Sequence, residues 1–143
     1  MKTNRIAMAA ALGGVLLAPA AKADEVWANR NTNVYWVENA GDYAVFEFTI
    51  DDPKIHRSGR IFLNGLVGTD TSRATFGGYW SSTDDARICP MPIIDAAGNE
   101  AWTWGLVELT FIEPAFPAGW SAALGVCFDE AVEFWTVQPI VAD

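Results

Sequence analysis

The residues of this chain best suited to chemistry are carboxylates and indoles. Glu47 and Glu108 each stand within an apolar run, where burial would raise a carboxyl pKa toward the range useful for proton transfer. Glycoside hydrolysis needs only two such groups a fixed distance apart, and Glu113, Glu130 and Glu133 could also contribute one. Asp51-Asp52, Asp70, Asp84-Asp85 and the Asp95 to Asn99 turn supply hard oxygen ligands in loops. They would suit calcium, although none has EF-hand spacing, and solvated acidic turns are the default in so acidic a chain. The expectation is therefore no cofactor, with calcium the one metal the residue types would suit.

The indoles point to binding rather than turnover. In "FGGYWSSTDD", Tyr79 and Trp80 follow two glycines and precede a polar loop. Aromatic rings in such a place can reach solvent beside a backbone free to bend around a ligand. In "EAWTWGLVELTF", Trp102 and Trp104 are two residues apart, so a regular strand turns both to one face, opposite Val107, Leu109 and Phe111. One extra residue at Gly105 would bring them onto the core face, as a bulge does. Without it they could form a flat platform for sugar rings, whose C–H groups pack on aromatic faces. The tendency of large aromatics to be buried favours the core for this pair.

Other chemistries lack their residues. The single histidine, His56, lies in "KIHRSG" among Lys54, Arg57 and Arg60, a segment that reads as a loop. Such cations lower an imidazole pKa and hold no catalytic tautomer. No G-x-S-x-G elbow follows the leader. A histidine-rich zinc site is excluded by the same count, and "GLVGTDTS" lacks the lysine and helix of a phosphate loop.

Compartment and charge narrow the field further. Lys2 and Arg5, the apolar run Ile6 to Ala18 and the small-x-small Ala21-Lys22-Ala23 read as a secretory signal, cleaved after Ala23. Residues 24–143 are expected to form one secreted or periplasmic domain, with no transmembrane segment. Cleavage removes three cations and no acid, moving the net charge from −9 to −12. Such a surface does not suit nucleic acid, but it does suit a cationic protein partner. Cys89 and Cys127, both carried into an oxidising compartment, are expected to pair. Closing that loop would stabilise the fold by about 4 kcal/mol in the chain-entropy treatment.

The elements that must position these residues are strands. Tyr43 to Ile50 alternates, with Ala44, Phe46, Phe48 and Ile50 on one face. Further strands are expected over Val34 to Val37, Arg60 to Val67, Arg73 to Trp80, Glu100 to Phe111, Trp120 to Phe128 and Val132 to Val137. Pro90 and Pro92 confine Arg87 to Ile94 to a sheet edge or to extended coil. "DAAGN" predicts a hairpin turn closed by Gly98. Trp36, Trp120 and Trp135 are read as core. Seven or eight strands joined by short turns imply an antiparallel β-sandwich or a closed β-barrel, with no sustained helical period.

The functional expectation is a non-catalytic domain that binds a ligand or partner, in its most concrete form a glycan, through Tyr79, Trp80, Trp102 and Trp104. The alternatives are an inhibitor or interaction module that sets its acidic surface against a basic protein, and a small glycosidase-like enzyme relying on paired glutamates.

Overall fold

Alternation of apolar and polar residues along successive strands puts one face of each strand inside, and here those faces close on themselves. The computed structural model describes residues 25–83 and 87–141. The leader expected over residues 1–23, and Asp84 and Asp85, lie outside the described residues. The strands are β1 (Val26–Ala28), β2 (Thr32–Ala40), β3 (Tyr43–Asp52), β4 (Ile55–Asn64), β5 (Thr75–Ser82), β6 (Ile93–Ile94), β7 (Glu100–Ala101), β8 (Thr103–Phe111), β9 (Trp120–Leu124) and β10 (Glu133–Pro139). Eight of them form a closed antiparallel barrel in which β1 pairs with both β2 and β10. The other two, β6 and β7, make a separate ribbon between β5 and β8. There is no helix among the described residues.

An eight-stranded barrel has an interior just wide enough for side chains to fill, and this one is filled with rings. Trp27, Trp36, Trp80, Trp120 and Trp135 share the interior with Phe46, Phe48 and Phe111. Trp27 packs edge-on against Trp120 at 6.0 Å between centroids, and Phe48 against Trp135 at 4.9 Å. Outward positions on β3 and β4 include the polar residues Glu47, Thr49, Ser58 and Arg60, beside the covered Val45 and Phe62. No helix among the described residues is long and apolar enough to cross a membrane.

Each end of the barrel is closed by an arginine and a glutamate lying against rings. At one end Arg73 Nη1 and Nη2 donate to the two carboxylate oxygens of Glu25 at 2.7 and 2.8 Å, and Nε donates to Thr69 O at 3.0 Å. Its guanidinium sits 5.6 Å from the Trp36 ring and 5.3 Å from that of Phe111. At the other end Arg57 Nη2 donates to both oxygens of Glu133 at 2.7 Å, and the guanidinium lies 5.0 Å from Trp80.

Several expectations change. His56 belongs to β4 rather than to a loop, because β4 begins five residues before Arg60 and pairs with β3 all the way from Asp52↔Ile55 to Tyr43↔Asn64. The "HRSG" tract hides its strand character by sending Arg57 inward, where an apolar residue would normally stand. β9 stops at Leu124, and Phe128 is exposed instead of continuing its inner face. Of Arg87 to Ile94 only Ile93 and Ile94 are strand, as two prolines in one edge require. The short β1, with its fully buried Trp27, was too brief to show a period.

Cys89 and Cys127 form a disulfide with Cα atoms 5.6 Å apart. It ties the segment after β5 to the turn after β9, outside the barrel wall.

Candidate functional site

A depression in the surface lies outside the barrel. A groove of about 610 Å³ runs between the outer face of β3, β4 and β5 and the β6–β7 ribbon. Pleating places its floor in two rows: Glu47, Arg60 and Ser81 are neighbours across the strands, and Thr49 pairs with Ser58 beside them. Arg60 Nη2 donates to Glu47 Oε1 at 2.8 Å, and its Nη1 lies 3.5 Å from Glu38 Oε1. The wall is the turn from Asp95 to Ala101.

That wall is held rigidly by local chemistry. Asp95 Oδ1 accepts from the backbone N–H of Ala97 and of Asn99, both at 2.9 Å, and Gly98 takes a φ of +88°. Asp-x-x-Gly closes the turn as the sequence implies, since only glycine adopts that φ without cost. Tyr79 then fixes the turn to the barrel: its hydroxyl accepts the Ala96 N–H at 2.7 Å, and its ring stacks on Phe62 at 4.9 Å. Burial of that phenol pushes its pKa above the ordinary tyrosine value, against the lowering effect of the Ala96 bond. Tyr79 therefore positions the wall and does not itself line the groove.

The remaining aromatic candidates separate. Trp80 is inside the barrel, its Nε1 donating to Gly125 O at 2.7 Å. This corrects the expectation of a solvent-reaching ring: Gly77 and Gly78 do not free the strand end, because β5 stays paired with β8 through Ser82. Trp102 and Trp104 do not act as a pair. β8 runs in register past Gly105 without a bulge, so Trp104 is on the outer face. It is buried there because the disulfide segments cover it: Nε1 donates to Met91 O at 2.8 Å and its ring meets Phe128 edge-on at 4.9 Å. Gly105 serves close approach instead, since a Cβ would strike the Gly125 carbonyl and the Trp80 indole nitrogen. Trp102, before β8 begins, is 46% exposed and donates its Nε1–H to Glu100 Oε1 at 2.8 Å. Glu100 lines the groove, whereas Trp102 is not among its lining residues and is tied to it only through this bond.

Of the carboxylates, Glu47 is in the groove and Glu108 is not. Glu108 lies three strands away and four residues further along the sheet, on the order of 20 Å by strand spacing and rise. Paired glycosidase carboxylates stand within about 9.5 Å, so these two cannot serve one bond. Asp51 pairs with His56 Nδ1 at 3.0 Å, and Asp52 accepts from Lys54 N and Asn31 Nδ2. Among the described residues no cluster of three or more His, Cys, Asp or Glu side chains is placed to hold a metal ion.

Ser58 and Arg60 are groove residues that sequence reasoning missed. The available signal was the alternation of Ser58 and Arg60 with Gly59, legible only if β4 is extended back through the charged tract. Compared with profiles of known families, with curated proteins and with solved structures, the chain matches none.

Proposed function

We propose that the protein is an exported, non-catalytic binding domain whose ligand is a glycan lying in the groove on the β3–β5 face. The observation that carries this reading is a groove floored by Glu47, Arg60 and Ser58 together with one exposed indole, Trp102, bonded to the lining residue Glu100. Sugar hydroxyls are recognised by planar charged or amide groups and by hydroxyls, which Glu47, Arg60, Asn99 and Ser58 provide. Trp102 offers the apolar face on which a pyranose ring packs. The barrel lumen is filled with rings, so a ligand would be taken on the outer face, where this groove lies. Tyr79 and Asp95 support the reading as positioning residues, since the wall they hold needs no rearrangement on binding.

The seven tryptophans make the test direct, because Trp102 is exposed and the other six are buried. Titration with an array of soluble polysaccharides is expected to change tryptophan emission. The change should vanish in Trp102→Ala and weaken about tenfold in Glu47→Gln, a loss typical of a charged hydrogen bond. Emission unaltered by every glycan, or altered equally in Trp102→Ala, would end the proposal. Export is tested separately by the mass of secreted material, which should begin at Asp24.

A further inference from the structure

The groove does not end at Thr49 and Ser58. A further depression, of about 410 Å³, adjoins it along β3 and β4, and these two residues line both. Beyond them it is bordered by Asp51 and His56, one pair short of the β3–β4 turn. Directly opposite residues of an antiparallel pair share a face, and every second pair returns to it. Glu47↔Arg60, Thr49↔Ser58 and Asp51↔His56 are therefore three successive outward rows, with Phe48 and Ile50 turned inward between them. Four residues of strand separate the first row from the third, about 14 Å at the rise of an antiparallel strand.

The rows repeat one chemistry. The first and third each set an acid against a nitrogen base: Arg60 Nη2 donates to Glu47 Oε1 at 2.8 Å, and His56 Nδ1 lies 3.0 Å from Asp51 Oδ1. The middle row is a threonine opposite a serine. At the third row the His56 and Asp51 side chains are 75% and 77% exposed. An exposed pair of this kind contributes little to stability, yet it continues the floor of the groove in line with the other two rows. A single sugar ring at the near end, beside Glu100, would leave this row uncovered. Resting on the glycan reading above, we infer that the ligand is a neutral linear oligosaccharide of several units running along β3 and β4, with Asp51 and His56 as a far subsite. Acid opposite base offers each hydroxyl of such a chain both an acceptor and a donor. A polyanionic chain would instead meet the carboxylates of Glu47, Asp51, Asp95 and Glu100, while Arg60 and Arg57 are already paired with glutamates.

The probes are cello-, xylo-, manno- and N-acetylchito-oligosaccharides of one to six units, titrated by calorimetry, with oligogalacturonates as the anionic control. In the series that binds, the hexamer is expected to bind at least tenfold more tightly than the dimer. Asp51→Ala and His56→Ala should each weaken the hexamer about fivefold, as loss of a hydrogen bond does, and the dimer less than about twofold. Both side chains are exposed, so the fold should tolerate either change. Glu108→Gln, outside the groove, should leave both affinities unchanged. Equal affinity for dimer and hexamer, hexamer binding undiminished in both variants, or equal weakening of dimer and hexamer overturns the far subsite and leaves the glycan reading standing. Tighter binding of the galacturonate hexamer than of any neutral one overturns the neutral chain. Binding of no oligosaccharide at any length removes the glycan reading itself, and this inference with it.

Discussion

The two ends of the barrel use one recipe with different completeness. Each places an arginine over aromatic faces and pairs it with a glutamate. At the Glu25 end the side chains of Arg73 and Glu25 are 0% and 10% exposed, and three guanidinium nitrogens each have an acceptor. At the Glu133 end the corresponding exposures are 15% and 32%, both carboxylate bonds come from Nη2, and the buried Nε of Arg57 has no partner. Bidentate, two-nitrogen pairing satisfies a desolvated charge; single-nitrogen pairing leaves part of the desolvation cost standing. The complete pair is nearly cut off from water, whereas the incomplete one keeps some access to it.

The largest expected effect follows from breaking the complete pair. Arg73→Met leaves Glu25 buried and uncompensated, and urea denaturation should register a loss of about 3–5 kcal/mol. Arg57→Met should lose less, about 1–2 kcal/mol, because Glu133 retains water and the orphaned Nε disappears with the change. Equal losses, or the reverse order, would break the comparison. Replacing both Arg73 and Glu25 with Met should recover most of the larger loss, since hydrophobic replacements of a whole buried pair are often neutral.

A neutral version of the same contrast sharpens it. Trp27 Nε1 donates to Ala118 O at 2.9 Å, while Trp120 Nε1 is buried without a partner. Both rings are fully buried. Changing either to Phe removes similar ring volume, but only Trp27→Phe also orphans a carbonyl. It should therefore be the more destabilising of the two by about 1 kcal/mol in the same denaturation experiment.

The smallest effect is on pH. The Tyr79 phenol is raised in the folded state by burial. The unfolded chain then releases this proton first, so folding stability is intact below the ordinary tyrosine pKa and declines as pH rises through the folded value. Absorbance titration at alkaline pH should find one tyrosine ionising late. In Tyr79→Phe that late step should be missing and the Asp95 turn less protected from amide exchange.

Much of this architecture was legible beforehand because its causes are local. The period of two in Tyr43 to Ile50 dictates which of its residues point inward whatever covers them. Asp95 and Gly98 specify their turn through bonds within five residues. The two cysteines had only each other. The outer groove was far less legible, since Ser58 and Arg60 lie in a strand whose inward positions are Arg57 and Gly59. Gly59 is needed because any Cβ there would meet the Ser81 carbonyl and the Phe48 ring. A pattern search treats such residues as loop.

By itself, then, the sequence determined an all-β chain with one disulfide and an interior rich in indoles. Those properties depend on side-chain alternation and residue type, which act over a few positions. Only the tertiary structure decided that the strands close into a barrel, that Trp104 is hidden while Trp102 is not, and that two arginines lie against the ends of the core. Alternation says which side of a strand a residue occupies. Whether that side meets water depends on which distant segment is laid over it, and for Trp104 that segment is brought there by Cys89 and Cys127.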